Sequence, residues 1–341
     1  MTTNIQNNWH ILILGAGSVG KRHFRNMAGM NCKLSGMDPN VDRLLEISKE
    51  IHLVFQFTSL EQIEKYWHKF DGVVVCSPPK FHQDQCIAAA ENGLPILSEK
   101  PLTKTLVEAQ KIANILNKIP NSQLLLGYTY RWWKPLKKFR EELELGRIGK
   151  PLHAKFVMSA HLADWHPWES YQDFFMSSKD LGGGALLDES HFVDLMLWFF
   201  GMPESVIANI DKLSNLDIET DDNVDIIVRY KDGLRVSIHL DLFGRPHEKY
   251  ISIAGEGSTL QWSFEPNIVQ YSNKMESVWN KISFELERND MFIEVEKEFL
   301  SILRGNTDIS CTLDDGLNIM KILEACRLSS AEGRIVYLDE F

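Results

Sequence analysis

The chain has 341 residues, 44% hydrophobic and 24% charged, ordinary values that exclude a disordered, collagen-like or disulfide-scaffold protein and suggest two domains. Its 36 Lys and Arg against 47 Asp and Glu give a net charge of −11 at pH 7, so nucleic acid would meet net repulsion and is not an expected partner. Cys32, Cys76, Cys86, Cys311 and Cys326 show no CxxC or paired spacing and read as free thiols; the polar start and the short apolar run Ile11 to Leu14 fit neither a signal peptide nor a membrane span, so a cytoplasmic protein with no membrane partner is expected.

In chain order, strands are predicted over His10–Leu14, Lys33–Met37, Leu53–Phe57, Gly72–Cys76, Leu94–Leu97 and Leu124–Leu126, alternating with helical patterns as in a parallel sheet covered by helices. Ser59 with Gln62 and Thr105 with Glu108 fit the capping box, and Gly93 stands where a helix would end. A helical stretch from Tyr128 to about Gly146 then leads to strands over Leu152–His161, Val224–Lys231, Leu234–Phe243, Lys249–Ala254 and Thr259–Phe264, with Asp232-Gly233 as a hairpin turn. Two late helices are predicted over Asp290–Arg304 and Asp314–Ser330. The reading is α/β, with a doubly wound dinucleotide-binding domain over 1–127 and a second α/β domain over 128–341 built on a largely antiparallel open sheet.

Gly15, Gly17 and Gly20 form a GxGxxG run, with Ser18 and Val19 inside it, directly after a strand and at a helix start. Gly15 would make the tight turn, Gly17 would admit a pyrophosphate and Gly20 would let helix and strand pack closely, with the helix N-terminus facing the phosphates. Asp38 ends the second strand, where a carboxylate can accept hydrogen bonds from both ribose hydroxyls and would repel a 2′-phosphate. NAD(H) is therefore preferred, and Arg43 nearby keeps NADP(H) possible. The plainer alternative is a strand-to-helix turn with no ligand.

Three further stretches are Ser77-Pro78-Pro79-Lys80-Phe81-His82, Glu99-Lys100-Pro101, and Gly182-Gly183-Gly184 leading to Asp188 and His191. With the N-terminal glycines, Gly127-Tyr128-Thr129-Tyr130-Arg131, Gly146-Arg147-Ile148-Gly149 and a closing Asp315-Gly316-Leu317, they resemble the Gfo/Idh/MocA family of glucose-fructose oxidoreductase, inositol dehydrogenase and rhizopine-catabolism proteins over essentially the whole chain. The resemblance implies a Rossmann domain, an α/β substrate domain, a nicotinamide at their interface, and hydride exchange with a sugar, polyol or nucleotide-sugar carbon. It also implies a homodimer or homotetramer through the open face of the second sheet.

On this reading Ser77, Pro78, His82 and Glu99 join the cofactor contacts. Lys100 polarises the reacting oxygen and touches both cofactor and substrate; its bond to Pro101 is commonly cis in relatives. His191 leads proton transfer, and Asp188 anchors a substrate hydroxyl and tunes it. His191 follows Asp188 at an offset of three where four is commoner in the family, and both spacings would share a helix face. Whether Lys100 or His191 moves the proton stays open, as do a solvated Lys100 and a structural His191. Arg131 is expected at the junction as a buttress or substrate contact, with Trp165 and His166, from the aromatic stretch His161 to Tyr171, as sugar contacts. Two other functions stand beside the oxidoreductase: a dinucleotide-binding sensor without chemistry, and a metal-assisted lyase or isomerase using Asp188, His191 and His161 or His166.

Overall fold

The computed structural model describes residues 8–165, 170–272 and 278–341. Two compact units divide the chain: one holds Met1–Tyr128 with Phe292–Leu317, the other Thr129–Met291 with Asn318–Phe341.

The first unit contains β1 (His10–Leu14), α1 (Ser18–Gly29), β2 (Lys33–Met37), α2 (Val41–Ser48), β3 (Leu53–Phe57), β4 (Gly72–Val75), α3 (His82–Glu91), β5 (Ile96–Glu99), α4 (Leu106–Leu116) and β6 (Leu124–Gly127). The six strands are parallel in the order β3-β2-β1-β4-β5-β6. This is the doubly wound order, with a switch point between β1 and β4 where a ligand crevice opens at the carboxyl ends. Residues Ile11 to Leu14 and Val73 to Val75 are wholly buried, as strands covered on both faces must be.

Thr105 and Glu108 form the expected capping box of α4. Gly93, at φ +71°, ends α3 with its N–H on Ala90 O and that of Leu94 on Ala89 O, a Schellman closure. That closure holds Leu94 on the helix end, and the strand begins at Ile96, two residues later than predicted. The Ser59 capping box does not form. Thr58 and Gln62 instead exchange two hydrogen bonds of 2.9 Å, closing a turn that competes with helix initiation.

In the second unit the helix predicted from Tyr128 is a 3-10 turn, Thr129–Trp132, followed by α5 (Lys134–Glu144). Pro135 sits in the first turn of α5, where its missing N–H costs no hydrogen bond. Next come β7 (Pro151–Ser159), α6 (Ala185–Asp188), α7 (His191–Phe200), β8 (Ser205–Asp211), β9 (Asn223–Arg229), β10 (Arg235–Asp241), β11 (Glu248–Gly255), β12 (Thr259–Ser263), β13 (Ile268–Ser272) and β14 (Trp279–Ser283). The chain closes with α8 (Asn289–Ile302), α9 (Leu313–Glu332) and β15 (Val336–Tyr337).

The sheet runs β14-β13-β12-β11-β7-β10-β9-β8-β15. It is antiparallel apart from the β7–β10 pair, in keeping with the largely antiparallel sheet expected. Gly233, at φ +101°, turns the β9–β10 hairpin. One face is core: Phe156, Met158, Val236, Ile251, Leu260 and Trp262 are nearly inaccessible. The other alternates outward and leaves Ile207 and Ile227 40% and 55% exposed. Among the described residues no helix is long and apolar enough to cross a membrane.

Candidate active site

The residues of the first unit expected at a dinucleotide site lie at the ends of strands on the carboxyl edge of the sheet. Gly15 has φ +103°, and a Cβ there would lie 2.7 Å from Ser77 N, while one on Gly20 would lie 2.0 Å from Gly15 O. These two contacts compel glycine. A Cβ on Gly17 would meet nothing within 4 Å, so the backbone there faces open space. No side chain caps α1, and its first turn holds no acidic residue. The N–H groups of Ser18, Val19 and Gly20, which have no partner inside the helix by construction, together with the positive end of the helix dipole, suit an anionic pyrophosphate.

Asp38 is almost fully buried. Its Oδ2 accepts the Ala16 N–H at 2.8 Å and its Oδ1 the Asn40 N–H at 2.8 Å. Each oxygen retains a lone pair for a further donor, and the arrangement ties the carboxylate to the glycine loop. Arg43 Nη1 lies 3.6 Å from Asp38 Oδ2. These residues fit a dinucleotide bearing free ribose hydroxyls.

Ser77 donates to Gln85 Oε1 at 2.7 Å, which fixes the loop after β4, with Pro78 next to it. His82, expected among the cofactor contacts, is instead wholly enclosed. Its ring nitrogens face Ser77 O at 2.8 Å and Pro101 O at 2.9 Å, so it braces the loops after β4 and β5 against each other. Glu99 ends β5 and is nearly buried, with Oε1 3.0 Å from His23 Nε2. Lys100 is half-buried, and its bond to Pro101 is cis.

In the second unit the glycine run has a packing reason. A Cβ on Gly183 would lie 2.2 Å from Met176 O, and Gly184, at φ +106°, would place one 2.2 Å from Asp221 Oδ1. Asp221 in turn accepts the Leu186 N–H at 2.8 Å and starts α6. Asp188 closes this short helix and His191 opens α7. The expectation that both lie on one helix face is therefore corrected. Ser190 Oγ donates to Leu187 O at 2.7 Å, the carbonyl that a continuous helix would offer to the His191 N–H, and the helix breaks there. Asp188 is buried and His191 partly accessible.

Arg131, expected as a buttress or substrate contact, is buried. Its Nε and Nη2 donate to Asp194 Oδ1 at 2.9 and 2.7 Å, so it locks the 3-10 turn after β6 onto α7. Trp165 is half-buried beside a 3-10 turn that Asp164 and Arg245 pin by paired hydrogen bonds of 2.7 and 2.8 Å. His166 lies outside the described residues. Among the described residues no group of three or more His, Cys, Asp and Glu is arranged to hold a metal ion.

Sequence reasoning missed Tyr130 and Lys249. The Tyr130 ring packs against that of His191, centroids 4.8 Å apart, and Lys249 Nζ donates to Tyr130 Oη at 3.2 Å. Burial pushes the Lys249 ammonium down, but the Tyr130 oxygen and the Glu189 carboxylate hold it above the usual lysine range. Lys249 is 119 residues from Tyr130, and no local motif marks it.

Residues 9–128 match the family model described as "Oxidoreductase family, NAD-binding Rossmann fold", and residues 136–261 match the Gfo/Idh/MocA C-terminal domain. The chain belongs to the Gfo/Idh/MocA family. It is 24% identical to myo-inositol 2-dehydrogenase of Thermotoga maritima across 96% of this chain and 98% of that protein. It is 29% identical to rhizopine catabolism protein MocA of Rhizobium meliloti across 55% of this chain and 56% of that one. A solved levoglucosan dehydrogenase in complex with NADH and levoglucosan shares the fold at a TM-score of 0.86 and 19% identity, covering 97% of this chain and 99% of that one. The first unit of this Gfo/Idh/MocA protein thus contains the family's NAD-binding Rossmann domain, and the protein falls in an oxidoreductase family.

Proposed function

We propose that the protein is an NAD(H)-dependent dehydrogenase or reductase acting on a secondary alcohol or ketone of a sugar, polyol or nucleotide sugar. The observation that carries this reading is the crevice at the carboxyl edge of the first sheet, where the uncapped start of α1, the open backbone at Gly17 and the Asp38 carboxylate stand together. The named relatives, an inositol dehydrogenase and a levoglucosan dehydrogenase, support a polyhydroxylated substrate.

The bound nicotinamide supplies or accepts the hydride. The chain's own residues handle the proton and the charge on oxygen. The Lys100 ammonium stabilises developing negative charge on the reacting oxygen, and His191 takes the hydroxyl proton in oxidation or returns it in reduction. Asp188 holds a neighbouring hydroxyl. Trp165 supplies an apolar platform for sugar C–H groups, and His166 a polar contact. The Asp38 carboxylate, which repels a 2′-phosphate, favours NAD(H) over NADP(H). Ile207 and Ile227, exposed on the open sheet face, suit assembly of copies into a dimer or tetramer. Five cysteines, none in a disulfide, suit a reducing cytoplasm.

The test is a titration with NAD+ and NADP+, followed by a screen of inositols, free hexoses and nucleotide sugars for reduced-nicotinamide absorbance. Tight NAD+ binding with turnover of a polyol supports the reading, and absence of dinucleotide binding overturns it. Lys100→Ala should lower kcat at least about a hundredfold. Dinucleotide binding with unchanged biological activity in that variant would instead identify a sensor.

A further inference from the structure

The second unit places a lysine where its strand otherwise turns apolar residues into the core. Lys249 on β11 shares a strand face with Ile251 and Ile253, both wholly buried, because alternate residues of a strand point the same way. An ammonium on that face needs hydrogen-bonding partners to offset its lost hydration. Its Nζ donates to Tyr130 Oη at 3.2 Å and lies 5.6 Å from the centroid of the Phe264 ring. Burial works against its charge, the Tyr130 oxygen and the Glu189 carboxylate favour it, and Arg288 opposes it, with the balance above the usual lysine range. Among the described residues no carboxylate forms a hydrogen bond or an ion pair with Lys249. An ammonium has three N–H donors. With one spent on Tyr130, two remain for a ligand.

Tyr130 fixes where those two donors stand. The residue is nearly inaccessible, and Phe192 and Trp262 hold its ring edge-on at 6.3 and 6.1 Å. The same ring packs against the imidazole of His191, centroids 4.8 Å apart, while Lys249 Nζ stands beyond the phenol oxygen, 5.9 Å from the ring centroid. One clamped side chain therefore touches both the imidazole and the ammonium and sets the spacing between them. All three residues belong to the second unit. A lysine held in this way is positioned before a ligand arrives, which reduces the entropy lost on binding.

In a sugar or polyol the carbon next to a reacting C–OH carries a further oxygen. A donor fixed beside the proton-carrying imidazole suits that oxygen. A site built to hydrogen-bond a substrate oxygen rejects the analogue that lacks it, because the donor is then left unpaired in a partly desolvated place.

We infer that Lys249 is a specificity-determining residue: its ammonium binds a substrate oxygen next to the carbon that His191 serves, and Tyr130 is the positioning residue that holds it there. This deepens the dehydrogenase reading above and rests on it. The test compares full-length wild type, Lys249→Met and Tyr130→Phe, each with NAD+, on the inositol or hexose that wild type turns over fastest and on the monodeoxy analogues of that compound. The loss of kcat/KM on deleting one particular hydroxyl should become about tenfold smaller in Lys249→Met, with the losses at the other carbons unchanged. Tyr130→Phe, which keeps the ring against His191 but removes the oxygen that holds the ammonium, should reduce the same loss. A merely structural lysine would lower every rate by one factor, so equal discrimination in wild type and Lys249→Met overturns the proposal and leaves the dehydrogenase reading intact. Wild type that turns over nothing in the screen overturns that reading. A second measurement needs no substrate: in protein labelled with 13Cζ-tyrosine, the Tyr130 signal, identified by its loss in Tyr130→Phe, should move in Lys249→Met, and an unmoved signal overturns the proposal.

Discussion

Each unit buries ionised side chains, but they balance them differently. In the second, Arg131 donates two hydrogen bonds to Asp194, both residues buried, and the pair joins the 3-10 turn after β6 to α7. In the first, one histidine, His23, stands between two carboxyl groups, Glu99 and Glu296. A balanced pair holds elements together and projects little field. A histidine shared by two carboxyl groups ties three elements at once, at a desolvation cost that its hydrogen bonds must offset. Lys249 lies between these cases, half-buried against Tyr130 with the Glu189 carboxylate opposing it.

Breaking the balanced pair should have the largest effect. Arg131→Met removes both hydrogen bonds from the guanidinium to the buried Asp194 carboxylate, and urea unfolding should show a loss of about 3–5 kcal/mol. Replacing both residues by apolar ones should recover most of that loss if the pair is structural. Next comes Gly20→Ala, whose Cβ would strike the Gly15 carbonyl at 2.0 Å. Dinucleotide titration should show binding weakened at least about tenfold, or about 1.4 kcal/mol. Lys249→Met, which removes the donor to Tyr130, should lower kcat/KM about tenfold, near 1.4 kcal/mol. Its dinucleotide Kd should not change, and that contrast separates the two units.

The smallest effect is in the pH dependence of stability. Burial lowers the His23 pKa, but its hydrogen bonds to Glu296 and Glu99 raise it from 6.5 for a free imidazole to about 9. Its stabilising contribution is therefore complete below pH 6.5 and is lost as pH rises through 9. Thermal melts across that window should show Tm falling with pH, and His23→Gln should flatten this slope.

Much of the first unit was legible because its signals are local. The strand limits of β1, β2 and β3 follow from apolar runs between turn residues, and the glycine spacing encodes a backbone path. Thr105 and Glu108 cap a helix by contacts three residues apart. The Ser59 reading failed on equally local chemistry, since Thr58 and Gln62 close a competing turn. His82 carried the correct motif but a different role, because its surroundings include the carbonyl of Pro101, 19 residues away.

Strands β8, β13, β14 and β15 were not predicted. They are short or near the edge of the sheet, and their pairing depends on neighbours distant in sequence. The Asp188–His191 spacing was read as one helix face, and the Ser190 side chain ends that helix.

By itself, then, the sequence determined the parallel sheet, the dinucleotide loop with its carboxylate at Asp38, and the family, since hydrophobic period, glycine conformation and cap chemistry act over a few residues. Tertiary structure alone decided that Phe292–Leu317 returns to the first unit and brings Glu296 against His23, 273 residues away, and that Lys249 reaches Tyr130. Such pairings follow from burial: a charge removed from water is stable where the folded chain delivers a partner, and no local pattern records which distant residue that is.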